Sequence, residues 1–314
     1  MNIKDTVMHR CNNNPVITPS SVPKGYSVGA CGQTMYEGKY ILLVPIQLSN
    51  KKSPAIFVAQ STDGEIFDIE SNPLIIPSKK YAEVDKHISR PCVSYVPEDD
   101  TYYITRPLDG GAWGKPIHLS KTKDFKTIEE MGIIALPHAA TGCIFQGKVN
   151  GKYAKIDRRD SQPFKPAVWI SFSDDLKYWG EYQPLLQPYT NWNDGQLIPT
   201  PPIKTKEGWL VIYCGEKEGR LSIGAFLLDL NDPTKIIAKA NSPILTPNVD
   251  FEYMGATNKP TVDTCGAIVD EEKDEIRIYY CGCGMSIGMT KGSLNELLEL
   301  IKYEDANFED WIWS

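Results

Sequence analysis

Histidine is scarce in this chain: four among 314 residues, at His9, His87, His118 and His138. No Cys-x-x-Cys spacing accompanies them, which removes the usual signature of a structural zinc site. No apolar run approaches the length of about 18 residues that a membrane-spanning helix needs. Positive charge is not in excess, since the net charge is -7. Neither nucleic acid nor an anionic membrane surface is therefore an expected partner. The opening MNIKDTVMHRCNNNP has no apolar segment of the secretory type. Eight cysteines in a chain of this size do not make a small disulfide scaffold. They are expected as reduced thiols in a cytoplasmic protein. Helical periodicity is nearly missing too. Its clearest stretch is Ser293-Leu-Asn-Glu-Leu-Leu-Glu-Leu-Ile301, where Ser293 can cap and Glu296 follows three later.

What the sequence does have is repetition. Trp169-Ile-Ser-Phe-Ser-Asp-Asp-Leu, Ile117-His-Leu-Ser-Lys-Thr-Lys-Asp-Phe and Ile56-Phe-Val-Ala-Gln-Ser-Thr-Asp-Gly share one pattern: alternating apolar residues, then Ser or Thr, then Asp. A second landmark recurs five times: Gly38–Leu43, Asp100–Thr105, Gly151–Ile156, Gly208–Tyr213 and Glu275–Tyr280. Each follows a polar or Gly turn and is rich in aromatic and β-branched residues, as strands are. A third repeat sets proline at both ends of a short apolar run: Asn14–Pro19, Asn72–Pro77, Ser242–Pro247 and, more loosely, Gln183–Pro188. Such runs suit crossings between sheets, because proline cannot donate to a ladder. The expectation is an all-β chain: one five-bladed β-propeller spanning residues 1–314, with a short C-terminal helix and tail. The tail Phe308–Trp313 is expected to dock on the body, with an oligomer contact as the other option.

Trp192-Asn-Asp-Gly-Gln-Leu-Ile-Pro-Thr-Pro-Pro-Ile-Lys-Thr-Lys-Glu-Gly-Trp209 is more specific. Together with Ser173-Asp-Asp-Leu-Lys-Tyr-Trp179, Asp109-Gly-Gly111, Ile223–Pro233 and Cys265-Gly-Ala-Ile-Val-Asp270, it resembles glycoside hydrolase family 130. That family contains mannoside phosphorylases and β-mannosidases on a five-bladed propeller. The resemblance implies cleavage of a β-mannoside-like glycoside by phosphorolysis, which is glycosyl transfer to phosphate, or by hydrolysis. Inorganic phosphate is then a possible co-substrate, and no other cofactor and no metal are implied.

The departures concern the chemistry. Where the family carries Glu-Asp-Pro-Arg, with the Asp as proton donor, this chain reads Ser89-Arg-Pro-Cys92, so Arg90 stands at the acid's position. A family Arg in the first blade matches Pro45. The phosphate-holding His of a Tyr-His-Gly motif matches Cys214, and a His-Arg pair matches Asp157-Arg158. The Asp expected after the fifth-blade Tyr pair is missing from Tyr279-Tyr-Cys-Gly-Cys-Gly284. Arg158 and Lys204 remain as matches to basic site positions.

A guanidinium cannot donate a proton at neutral pH. The candidate acids are therefore other carboxylates: Asp263, in the strand-like run Thr261–Thr264, then Asp194 before a glycine, and Asp157, for which an ion pair is the plainer account. Glu83 and Asp85 stand before the second blade, and His87 is the one histidine close to an inferred inner strand. Arg90, Arg158 and Lys204 are candidates for an anion or sugar pocket. Tyr103, Trp113 and Trp192 offer aromatic faces to a sugar, or else core. Cys31, Cys92, Cys143 and Cys265 each precede a landmark strand and read as small apolar filler near an axis, with a thiolate metal site as the other option. Three functions fit: a mannoside-cleaving enzyme with a rearranged catalytic set, a sugar-binding propeller without catalysis, and an enzyme of anionic sugars.

Overall fold

A computed structural model describes residues 7–51, 53–110, 112–139, 141–160, 166–188, 192–256 and 259–312, with side chains as far as residue 305. Its strands form five antiparallel sheets arranged as five blades. The five landmark runs are the second strands of their blades: Lys39–Leu48, Thr101–Asp109, Tyr153–Arg159, Trp209–Lys217 and Glu275–Gly282. They read as near-continuous runs rich in aromatic and β-branched residues because both faces of a blade are covered. Leu210 to Cys214, for example, are all buried.

The inner strand is broken in two in the first, second, fourth and fifth blades. In the second blade the pieces are His87–Ile88 and Cys92–Val96, with Arg90 between them at φ +47°. In the fifth they are Val262–Asp263 and Ile268–Asp270. Two-residue hairpin turns close several strand pairs with consecutive left-handed residues: Glu37-Gly38, Asn150-Gly151 and Glu218-Gly219.

The Ser/Thr-x-Asp pattern proves to be a turn device. Asp63 Oδ1 accepts the N–H groups of Glu65 and Ile66, Asp124 Oδ1 those of Lys126 and Thr127, and Asp175 Oδ1 those of Lys177 and Tyr178. The hydroxyls of Ser61, Thr122 and Ser173 accept the N–H of the residue three later. That residue, Gly64, Phe125 or Leu176, has positive φ. Three proline-framed runs bridge back to third strands, through Ile17 to Ile287, Ile75 to Ile56 and Leu245 to Ile223.

The start of the chain closes the ring. His9–Arg10 pairs with Ser286–Gly292 and supplies the outer edge of the fifth blade. Arg10 binds both oxygens of buried Glu252 at 2.8 Å each. Ser293 caps the C-terminal helix through a 3.1 Å bond from the Glu296 N–H, and Asp274 adds an acceptor for the Asn295 N–H. The helix is longer than expected, running from Leu294 to Ile312. Leu297, Leu298 and Ile301 pack into the core cluster that holds Leu227 and Ala238 of the fourth blade. The side chains of Phe308 to Ile312, and all of Trp313, lie outside the described residues, and so does the docking expected of them.

Candidate active site

In each blade the inner strand begins at the end of the propeller where the second strand finishes, because the two are antiparallel. This end carries Arg90, Asp263, Arg158 and Asp194. Arg90 leaves the break in the second blade's inner strand and meets Asp263 of the fifth blade. Blade one stands between those two in chain order, so the pair reaches across the axial opening. Nη1 of Arg90 contacts both carboxylate oxygens, and Nη2 donates to the Thr264 carbonyl at 3.0 Å. The side chains are 16% and 25% exposed. Burial opposes the charge on Arg90, but Asp263 outweighs it and holds the guanidinium protonated far above neutral pH.

The left-handed backbone at Arg90 costs about 1–2 kcal/mol for a residue with a Cβ. It turns the chain at the strand break, just before Pro91. Beneath the pair lie thiols. Cys214 Sγ is 3.5 Å from Asp263 Oδ1, and the Thr264 N–H donates to the same sulfur at 3.3 Å. Cys92 neighbours Cys143 and Cys265, and Cys31 neighbours Cys265 and Cys281. Burial pushes the Cys281 thiol up to about 12 and raises Cys31, Cys214 and Cys265 as well. Neutral thiols are poor nucleophiles and poor metal ligands. Among the described residues no group of three or more His, Cys, Asp or Glu is placed to hold a metal ion.

Arg158 faces the fourth blade. Its Nη1 donates to Gln196 Oε1 at 3.0 Å and its Nη2 to Asp160 Oδ2 at 2.7 Å. Its Nε is buried without a partner among the described residues. Asp194 is exposed in the turn leading to the fourth blade's inner strand. Trp113 is 66% exposed, in the loop joining Thr101–Asp109 to Ile117–Thr122 at this same end. His87 is exposed nearby.

Other candidates sit elsewhere. Asp157 is 1% exposed and points to the opposite side of its strand from Arg158. It pairs with Lys155, itself fully buried, and with Arg159 at 2.7 Å. Both cations close it off, so the expected ion pair exists but with Lys155 and Arg159 as its partners. Asp85 is likewise locked, by Arg106 through two 2.7 Å bonds. Lys204 and Tyr103 are not brought into the group. Both lie beside the turns between inner and second strands, at the other end of the propeller. Lys204 pairs in register with Trp209, its ammonium 5.8 Å from the indole centroid, and Tyr103 donates to Asp99 at 2.9 Å. Lys204 lies eight positions after Gln196, up to about 26 Å along an extended strand. Trp192 is blade packing: its ring lies 5.5 Å from that of Tyr213 and fills the space over Gly215 and Gly224.

Gln196, Lys155 and Arg106 escaped the sequence reading. Lys155 and Arg106 do leave a signal, as charged residues within apolar strand alternation. Gln196 leaves none.

The inner strands of this propeller deliver cations and carboxylates to one end of the axis, a layout that does not by itself name a substrate. The comparisons make the class specific. The family described as beta-1,4-mannooligosaccharide phosphorylase matches residues 6–303, and the chain belongs to it, glycoside hydrolase family 130. The chain is 33% identical over 253 residues to a beta-1,2-mannobiose phosphorylase of Listeria innocua, covering 79% of this chain and 69% of that protein. It is 28% identical over 312 residues to a beta-1,4-mannooligosaccharide phosphorylase of Ruminococcus albus, covering 94% and 91%. The solved complex of the Listeria innocua phosphorylase with beta-1,2-mannobiose superposes with a TM-score of 0.85 at 27% identity, over 97% of this chain and 100% of that one.

Proposed function

We propose that this protein cleaves β-mannosides by phosphorolysis, working as one propeller unit with its site at the Arg90 end of the axis. One observation carries the reading: Arg90, which the resemblance sets at the position of the family's acid, contacts a carboxylate, Asp263, from another blade. The charge is moved rather than lost. Asp263 is the carboxyl group assigned to the glycosidic oxygen, and Arg90 and Arg158 are the cations assigned to phosphate and sugar hydroxyls. Of the other acids considered, Asp157 is sealed by its two cations and Asp194 stands in an exposed turn. Names of relatives support the substrate class, since they include phosphorylases of both β-1,2- and β-1,4-linked mannosides. Eight cysteines without a disulfide fit a reducing compartment such as the cytoplasm.

The test incubates the protein with β-1,2- and β-1,4-manno-oligosaccharides, with and without inorganic phosphate. Phosphate-dependent release of mannose 1-phosphate is the expected result. Free mannose released equally without phosphate selects hydrolysis instead. A second reading, a mannoside-binding propeller without turnover, is favoured by one observation: the Asp263 carboxylate is already engaged by a guanidinium. Tight mannobiose binding with no product, unchanged in Asp263→Asn, selects it.

A further inference from the structure

We propose that the Arg90–Asp263 pair is an exchangeable lock: a phosphate-class oxyanion arriving at this end of the axis takes Arg90 away from Asp263, and the freed carboxylate accepts the anion's proton and becomes the acid. This inference rests on the phosphorolytic reading and supplies what that reading needs, a protonated carboxyl group where a guanidinium now stands.

Three features of the pair make the exchange physical. Both partners keep part of their side-chain surface exposed, so an anion can reach them. Arg90 does not hold Asp263 by its two parallel N–H groups. One terminal nitrogen serves both carboxylate oxygens, while the other is turned to the Thr264 carbonyl. A phosphate can offer the guanidinium the two-pronged geometry that Asp263 does not. The groups around Asp263 complete the argument. Cys214 lies against it, and Cys31, Cys265 and Cys281 are also close to it, with burial keeping these thiols neutral. Among the described residues Arg90 is the ion-pair partner of Asp263. Once that cation turns to phosphate, the carboxylate faces an anion in place of its counter-ion, which favours its protonated form, and among the described residues the 3.5 Å contact from the Cys214 thiol is the one neutral donor working against it.

The step balances. Dihydrogen phosphate monoanion gives one proton to the Asp263 carboxylate and remains on Arg90 as the dianion. Asp263 then passes that proton to the glycosidic oxygen as the bond to the anomeric carbon breaks. A phosphate oxygen forms the new bond to that carbon. The products are the sugar 1-phosphate monoanion and the released alcohol, and Asp263 returns to its carboxylate form and to Arg90.

The experiment is calorimetric titration of the full-length protein with inorganic phosphate, in buffers of differing ionisation enthalpy, so that protons are counted with affinity. Removing the competitor in Asp263→Asn is expected to tighten phosphate binding about tenfold, the equivalent of about 1.4 kcal/mol. It is also expected to lower proton uptake by about one per phosphate bound. Arg90→Gln is expected to lose phosphate binding. Unchanged or weaker binding in Asp263→Asn, or an unchanged proton count, overturns the lock, as does a wild-type protein that binds no phosphate. Should Asp263→Asn not fold, sulfate on the wild type decides. Sulfate has no proton to give, so binding must draw about one from the buffer, and none drawn overturns the proposal. The two readings fail separately. Phosphate binding with this proton count but no mannose 1-phosphate from any oligosaccharide keeps the lock and removes phosphorolysis. Turnover without the Asp263→Asn effect does the reverse.

Discussion

Arg90 and Asp263 stand 173 residues apart in sequence and touch across the axial opening. The contact inverts a charge arrangement. The residue that the family resemblance sets at the acid's position is a cation, and a carboxylate reaches it from a different blade.

That inversion gives a double-mutant prediction. Arg90→Asp alone sets two carboxylates against each other and is expected to destabilise the fold by about 2–3 kcal/mol. Adding Asp263→Arg swaps the pair and should recover about half or more of that loss. Urea unfolding of the wild type, both single variants and the double variant measures the coupling. Additive losses show that the pair contributes little to stability. The swapped protein also carries Asp at the position of the family's acid, so its activity on mannobiose with phosphate is worth measuring beside its stability.

His118 is fully buried, and burial lowers its proton affinity to about pH 4 from an ordinary value of 6.5, with nearby Arg106 acting in the same direction. The folded state therefore keeps His118 neutral at pH values where the unfolded chain protonates it. Stability from this residue is full above pH 6.5 and falls as the pH drops towards 4. The total at stake is about 3 kcal/mol. His118→Gln is expected to flatten the urea midpoint between pH 7 and pH 4.5. A midpoint with the same acid slope in both proteins removes His118 as the cause.

Asp63 behaves in the opposite sense. Backbone N–H groups of Ile66 and Glu65, with the Ser61 hydroxyl, hold its carboxyl down at about 2, against 3.8 ordinarily. A depressed carboxyl stabilises above the unfolded value and loses that effect as the pH falls through about 2. Asp63→Asn keeps the acceptor oxygen and loses the charge. It should melt lower than wild type at pH 6, with the gap closing as the pH nears 2. A gap that does not change with pH assigns the turn to geometry alone.

The propeller was legible because its causes are periodic. Second strands announce themselves by aromatic and β-branched residues after a turn, and the Ser/Thr-x-Asp device recurs because the same turn follows a third strand in three blades. The site was only half legible. Asp263 could be singled out as a lone carboxylate in the strand-like run Thr261–Thr264, and Arg90 as a departure from the family, but nothing local says that they meet. Lys204 shows the reverse error. Its short motif matched well, yet position along the strand decides which end a side chain serves, and Lys204 follows the inner strand's break rather than preceding it. Asp157 was read beside two arginines, but strand alternation turns Arg158 away and brings Lys155 in.

Ring closure depends on Arg10. Glu252 is fully buried and accepts from Arg10 at two oxygens, from Tyr280 at 2.7 Å and from the Asn248 N–H at 2.6 Å. Arg10 also donates to the Thr246 carbonyl at 2.6 Å and so ties the edge strand to two further segments. Arg10→Ala leaves the carboxylate buried without its cation, a class of change that costs about 3–5 kcal/mol. The loss is expected to appear as opening of the first and fifth blades, since His9–Arg10 is the strand that completes the fifth blade. Hydrogen exchange should then report faster exchange at Ser286–Gly292 than at Trp209–Lys217. Adding Glu252→Gln to Arg10→Ala removes the stranded charge and should return part of the stability. If the double variant is no more stable than Arg10→Ala, the cation contributes through packing and its Thr246 bond rather than through charge.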